Sequence, residues 1–138
     1  MALFSGDVGT LAQFIHITVI QGVGSVERYE QLRNLVVMAV ADGTLAEDEL
    51  RLLAHRCAEL GLDEEELRAA ISFALSDQAA LRLPTDPAEQ EALLTDLIRM
   101  MAADGQLSEA EKRLFALAAA KMNFDSNRVN QLIDRLSL

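Results

Sequence analysis

An acidic string of eight residues occurs twice in this chain and carries the side chains best suited to bind a cation. It runs from Asp42 to Glu49 and returns, 62 positions later, from Asp104 to Glu111. Both copies place an aspartate before a glycine and a glutamate seven residues after that aspartate. This layout matches the second half of a calcium-binding EF-hand loop, in which the glutamate closes the loop around the ion.

The first half of such a loop is missing from both copies. Where it would need oxygen ligands, four and two residues before the aspartate, the chain has apolar side chains: Met38 and Val40, then Met100 and Ala102. One loop therefore cannot enclose an ion, whereas two half-loops brought together can. The candidate metal ligands are Asp42, Glu49, Asp104 and Glu111. With the carbonyl groups of Thr44 and Gln106 they give about six oxygens, a number that Ca²⁺, Mg²⁺ or Mn²⁺ accepts.

The same acidic residues also have a purely structural interpretation. Glu111 is the third residue after Ser108 and completes a capping box, and Glu47 can serve Thr44 in the same way. Asp42 and Asp104 are harder to explain, because we place each in the last turn of a helix, where the dipole disfavours negative charge by about 0.3–1 kcal/mol. The alternative is an aspartate side chain that accepts a hydrogen bond from the amide two residues ahead. The sequence leaves both interpretations open.

The elements that must position both strings are predicted to be six helices in two matched triplets, because the self-similarity continues outside the strings. Residues 25–76 form the first triplet, 77–86 a linker and 87–138 the second. The predicted helices run from Ser25 to Gly43 and over about 46–60, 64–76, 87–103, 108–122 and 126–136. Neither triplet buries its apolar face alone, so we expect the two to pack about a pseudo-two-fold axis.

Residues that begin and end helices stand at suitable places in this pattern. Asp63 and Asp125 are predicted N-caps, and Asp86 followed by Pro87 is the clearest helix start. Gly43 suits the left-handed position that follows many helices. The apolar stripe of the second helix, predicted to face the core, consists of Leu50, Leu53, Ala54 and Cys57.

Residues 1–24 are the hardest segment to assign. We predict a helix over about 8–21, because Leu11, Ile15 and Val19 recur at helical spacing. The alternation of β-branched residues up to Val19 also fits a strand. We favour the helix, since a lone strand would have no partner for its backbone groups. The segment is apolar and is expected to pack on the domain or to form a homodimer contact.

Length and composition predict one all-α domain. Of the 138 residues, 51% are hydrophobic and 4% aromatic, so aliphatic side chains and Met must fill the core, as suits closely packed helices. Cys57, the single cysteine, excludes an internal disulfide and is expected to be buried. Neither a nucleophile motif nor a Gly-rich phosphate loop is recognisable, so we expect no enzymatic activity.

The net charge of −10 indicates which classes of molecule can bind this protein. It repels nucleic acid and anionic lipid headgroups, and it attracts cations and the basic faces of other proteins. Residues 1–24 contain no Lys or Arg, and the apolar run 11–23 is too short to span a membrane. We therefore expect a cytoplasmic protein.

Two stretches resemble the TerB-like family, which includes the tellurite-resistance protein TerB and the N-terminal region of a membrane-anchored J-domain co-chaperone. They are Ala41-Asp42-Gly43-x-Leu45-x-x-x-Glu49 and Ala103-Asp104-Gly105-x-Leu107-x-x-x-Glu111. The resemblance covers roughly residues 25–138. It implies an all-helical fold, a metal-chelating acidic patch on those Asp and Glu residues, and a role in stress-response assemblies at the inner face of the bacterial membrane.

These observations predict a non-enzymatic protein-interaction module whose duplicated acidic site binds a divalent cation. The alternative is a metal-independent helical adaptor in which the same aspartates and glutamates only cap helices. A metal-dependent hydrolase is a third hypothesis. It would need a cleft and a nucleophile or activated water, and the sequence indicates neither.

Overall fold

The computed structural model describes residues 17–21, 26–103 and 108–136, and this part of the chain is mostly helical. Its elements, in chain order, are β1 (Thr18–Ile20), α1 (Arg28–Ala39), α2 (Glu47–Glu59), α3 (Glu64–Ala74), β2 (Ala80–Arg82), α4 (Pro87–Ala102), α5 (Glu109–Lys121) and α6 (Ser126–Arg135). In this part of the chain, no helix combines the length and the apolar character needed to cross a membrane.

The bounds of the helices follow the 62-residue offset seen in the sequence. Helix α2 and helix α5 begin and end at equivalent positions, and α3 and α6 begin at equivalent positions. The mainly helical character of the fold is therefore confirmed. The superposition of the two triplets and their pseudo-two-fold relation stay predictions.

The predicted helix caps form as the sequence indicates. Asp63, Asp86 and Asp125 each accept a hydrogen bond from the amide three residues later, at 2.8, 3.1 and 2.8 Å. After α2 and α5, the equivalent residues Gly61 and Asn123 adopt positive φ angles of 73° and 64°. Glycine and asparagine are the residues that tolerate this left-handed position best, so both helices stop at the same place.

A short sheet departs from the all-α prediction. Strand β1 pairs in parallel with β2, and Val19 lies opposite Leu81. The predicted helix over 8–21 is therefore wrong for residues 18–20, and the rest of it, up to residue 16, lies outside the described residues. The linker between the triplets supplies the partner strand that a strand at residues 18–20 needs. The β-branched residues of β1 therefore adopt the extended backbone conformation that they favour.

The other edge of β2 is held by a helix side chain rather than by a strand. The Asn34 side chain, buried on α1, donates from Nδ2 to the Arg82 carbonyl at 3.0 Å and accepts from the Arg82 amide at 2.9 Å. A buried amide of this kind satisfies one backbone donor and one acceptor at once. It fixes the linker against α1.

Helix α1 lies at the centre of the fold. It packs against α2, α3, α4, α5 and β2, and every residue from Asn34 to Ala39 is buried. Met38 and its equivalent Met100, which stand where a complete EF-hand loop has ligands, are fully buried core residues. The missing half of each loop has thus become part of the hydrophobic core.

The single cysteine is also part of this core, as expected. The Cys57 thiol lies 3.3 Å from the carbonyl oxygen of Asp63, and burial raises its pKa above the usual thiol value, with a smaller contribution from the nearby charge of Glu66. A raised pKa leaves little reactive thiolate at neutral pH. Cys57 therefore behaves as a small packing residue.

Candidate metal centre

Two of the predicted metal ligands are the third residues of their helices and point inward. Glu49 of α2 and Glu111 of α5 are each only 4% exposed. Ionised glutamates are almost never buried to this degree unless they have a partner. The burial of Glu49 comes with a correction to the predicted stripe of α2. Leu50 is 41% exposed and Ala54 is exposed, because the helix is rotated so that Glu49, Leu53 and Cys57 face the core.

Each of these glutamates is oriented by the first backbone amide of its own helix. Glu49 Oε1 accepts from the Ala46 amide at 3.1 Å, and Glu111 Oε1 accepts from the Ser108 amide at 3.3 Å. The Ser108 hydroxyl accepts from the Glu111 amide at 3.0 Å, which completes the predicted capping box. Ala46 has no side-chain acceptor, so α2 has only half of this box.

Glu47, proposed from the sequence as the capping glutamate of the first copy, does not have this role. It forms an exposed ion pair with Arg51, with an N···O distance of 3.0 Å. The prediction failed because α2 begins after Ala46, two residues later than a cap at Thr44 requires. Glu49 is then the third helical residue, in the same position as Glu111.

The side chains of Glu49 and Glu111 meet, although 62 residues separate them in the sequence. They lie within hydrogen-bonding reach of each other, and the negative charge of Asp42 acts on the same place. Burial raises the pKa of Glu111, and the charge of Asp42 adds to this effect, while hydrogen bonds with Ser108 and Glu49 oppose it in part. Two ionised carboxylates have no hydrogen to share and repel each other, so their contact requires a proton or a cation.

The need for a proton or a cation is clearest at one oxygen of this pair, Glu111 Oε2. Glu111 Oε2 is buried and accepts no hydrogen bond from an N–H or O–H donor within residues 17–21, 26–103 and 108–136. A buried oxygen in this state loses its hydration without compensation. The atom therefore lies where a positive charge or a proton would be stabilised.

Asp42 lies at the exposed side of this pair, in the loop between α1 and α2. Its Oδ1 accepts from the Thr44 amide at 3.0 Å and from the Thr44 hydroxyl at 2.8 Å. Helix α1 ends at Ala39, so the prediction that Asp42 lies in the last helical turn is wrong. The aspartate side chain competes with helical hydrogen bonding, and Gly43 follows with a φ of 87°. The alternative hydrogen bond, to the amide two residues ahead, is the one that forms.

The fourth predicted ligand, Asp104, lies outside the described residues, together with Gln106. Within the described ranges, no three His, Cys, Asp or Glu side chains come close enough to hold a metal ion as a group. The structure thus brings Glu49 and Glu111 together, places Asp42 near them, and does not place Asp104.

A second polar feature was not indicated by the sequence. Arg56 of α2 and Asp96 of α4 form an ion pair with an N···O distance of 2.7 Å. Both line a pocket of about 100 Å³ between α1, α2 and α4, together with Asn34 and Glu89. Nothing in the spacing of these residues marks them as neighbours, since their contact depends on how the helices pack.

No protein-family model matches this chain, and no curated protein or solved structure is significantly similar to it. The TerB-like resemblance therefore rests on the two motif stretches alone.

Proposed function

We propose that this chain is a non-enzymatic, TerB-like protein-interaction module whose two helical triplets share one site for a divalent cation. The observation that carries the proposal is the meeting of two buried glutamates, Glu49 and Glu111, one from each copy of the acidic string. Helix capping requires neither their burial nor their contact. A cation held between them would remove their repulsion. It would also give Glu111 Oε2, which has no hydrogen-bond donor among the described residues, a positively charged partner.

The proposed ligand set is Asp42, Glu49, Asp104 and Glu111, with Ca²⁺, Mg²⁺ or Mn²⁺ as the ion. The role of the module comes from the TerB-like resemblance: recruitment of other proteins in a stress response such as tellurite resistance, in the cytoplasm and at the inner face of the membrane. The net charge of −10 supports partners with basic faces.

A metal-independent helical adaptor is the second candidate, and one observation favours it. Every predicted ligand among the described residues already has a local structural bond: Glu49 to Ala46, Glu111 to Ser108 and Asp42 to Thr44. In this alternative a shared proton, rather than a cation, joins the two glutamates.

Thermal unfolding in the presence and absence of divalent cations separates the two candidates. An ion that binds only the folded chain stabilises it by RT ln(1 + [L]/Kd), or about 2.7 kcal/mol at a hundredfold excess over Kd. We expect Ca²⁺, Mg²⁺ or Mn²⁺ to raise the Tm of the wild type. Asp42→Asn/Asp104→Asn should weaken this response, and Glu49→Gln/Glu111→Gln should abolish it.

Glu66→Gln is the matched control, because Glu66 has the same capping role in α3. Its Oε1 accepts from the Asp63 amide at 3.1 Å, but it is not one of the predicted ligands. This variant should keep the full response to cations. If millimolar concentrations of all three ions leave the wild-type transition unmoved, the adaptor with a shared proton is the correct interpretation.

A further inference from the structure

Three carboxylates of the proposed site are held in place, because Glu49, Glu111 and Asp42 each already accept a backbone hydrogen bond in their own loop with one oxygen. Glu49 Oε1 and Glu111 Oε1 accept from the amides at the starts of α2 and α5. Asp42 Oδ1 accepts two hydrogen bonds from Thr44, at 3.0 and 2.8 Å. In each group the two oxygens are therefore unequal, and the second oxygen is the one that can face an ion without disturbing a helix start.

An independent observation concerns the second oxygen of Glu111. The Glu111 side chain is 96% buried, and its Oε2 receives no N–H or O–H hydrogen bond from the described residues. The same side chain lies within hydrogen-bonding reach of Glu49. Glu111 therefore has one buried oxygen without a donor among the described residues, and its side chain lies next to that of Glu49.

Resting on the proposed cation site, we propose that the ion is Mg²⁺, held through single carboxylate oxygens and water, rather than Ca²⁺. Ca²⁺ takes six to eight oxygens at about 2.3–2.6 Å, and in EF-hand loops the closing glutamate binds it with both oxygens. Bidentate binding here would make Oε1 of Glu49 or Glu111 share its lone pairs between the ion and its capping amide, which weakens that capping bond. Mg²⁺ is bound at about 2.0–2.1 Å through one or two carboxylates and keeps several waters.

The surroundings allow for such waters on one side. Asp42 and Gly43 are exposed, and a side-chain carbon built on Gly43 would meet no atom within 4 Å. The loop therefore leaves open space at Gly43, next to Asp42 in the sequence. An ion bound to the two inner oxygens can then keep its outer water molecules on the Asp42 side.

Calorimetric titration of the metal-free full chain with MgCl₂, MnCl₂ and CaCl₂ at matched ionic strength tests this inference. We expect Mg²⁺ and Mn²⁺ to bind at least about tenfold more tightly than Ca²⁺. Bound Mn²⁺ should also enhance the relaxation of water protons, because it keeps water ligands. Tighter binding of Ca²⁺ would overturn the inference while the proposed function stands. Binding of none of the three ions would overturn both.

The variant Ala46→Pro tests the cause of the preference. Ala46 has a φ of −70°, which proline accepts, and the substitution removes the N–H that holds Glu49 Oε1. With Oε1 released, the ratio of Mg²⁺ to Ca²⁺ affinity should fall severalfold. Ala46→Ser keeps the N–H and should keep the ratio. An unchanged ratio in a folded Ala46→Pro protein would show that the capping bond does not set the preference, and if this variant fails to fold, the wild-type titration decides.

Discussion

The two copies of the acidic string agree in their glutamates and differ in the residues that cap their helices. The N-cap of α5 is Ser108, whose hydroxyl accepts from the Glu111 amide, whereas the N-cap of α2 is Ala46, which has no side-chain acceptor. Glu49 and Glu111 are nevertheless equally buried and meet each other. The feature common to both copies is therefore the contact between the carboxyl groups, and the complete capping box belongs to only one of them.

A second difference lies deeper in the fold. Position 34 in α1 and its equivalent, position 96 in α4, hold related side chains with different partners. Asn34 bonds the backbone of Arg82 in β2, and Asp96 forms an ion pair with Arg56. Helix α1 of the first triplet packs against β2, the strand that the linker provides. The asymmetry between the copies thus arises from what covers α1.

The largest expected loss of stability concerns a position at which the two copies are alike. Leu35 and Leu97 are equivalent, and both are fully buried. Replacing either with Ala removes buried methyl groups and leaves a cavity, so we expect each variant to lose about 2–5 kcal/mol of the free energy of unfolding. Urea denaturation measures both losses. If Leu35→Ala costs little while Leu97→Ala costs the full amount, the two triplets are not equivalent parts of one core.

The next effect concerns the difference between Asn34 and Asp96. Asn34→Ala leaves the amide and carbonyl of Arg82 without their side-chain partner, which should cost roughly 1–3 kcal/mol. Asp96→Asn is the control, because that ion pair is partly exposed and its loss should cost less. Urea denaturation of the two variants measures both costs. Equal losses would contradict the view that β2 is anchored by Asn34 in particular.

The pH dependence of stability tests what joins the two glutamates. Burial raises the folded-state pKa of Glu111 above its unfolded value. The associated stability is fully present below the ordinary glutamate pKa of about 4.3 and is lost as pH rises through the folded pKa. In the presence of a chelator, the wild type should therefore lose stability relative to Glu111→Gln as pH rises, by no more than about 1.4 kcal/mol per pH unit for one proton.

Glu66→Gln is again the control for this measurement, because it removes a capping carboxyl group from a different helix, α3. This variant should keep the pH dependence of the wild type. Tm values from pH 4 to 7 give the comparison. A constant difference between wild type and Glu111→Gln over this range would mean that the buried carboxyl does not change its protonation there.

Local chemistry explains which parts of the fold the sequence could predict. The N-caps at Asp63, Asp86 and Asp125 depend on residues three positions apart, and these predictions are confirmed. At residues 18–20 the sequence allows a strand but favours a helix, because the partner strand is about 60 residues away and only packing brings the two together. Short segments rich in β-branched residues take their structure from such partners rather than from their own preference.

The candidate site divides in the same way. The sequence identified Glu49 and Glu111 from their spacing, and it offered the correct alternative for the hydrogen bond of Asp42. It did not predict that α2 would turn Glu49 inward and leave Leu50 exposed, since hydrophobic periodicity favours the opposite orientation. The Arg56–Asp96 ion pair could not be predicted from the sequence either, because residues that meet between two helices have no fixed spacing along the chain.

The smallest expected effect acts directly on the difference between the two helix starts. Ser108→Ala should cost about 1 kcal/mol, because the Glu111 amide loses its side-chain acceptor, and Ala46→Ser should gain up to about the same amount by adding one for Glu49. Tm measurements without added metal give both changes, and the double variant Ala46→Ser/Ser108→Ala should lie close to the wild type, since the caps are exchanged. Both substitutions keep all four predicted carboxylate ligands, so all three variants should still respond to Mg²⁺. Loss of that response in Ser108→Ala alone would show that the capping box, and not the glutamate pair, positions the site.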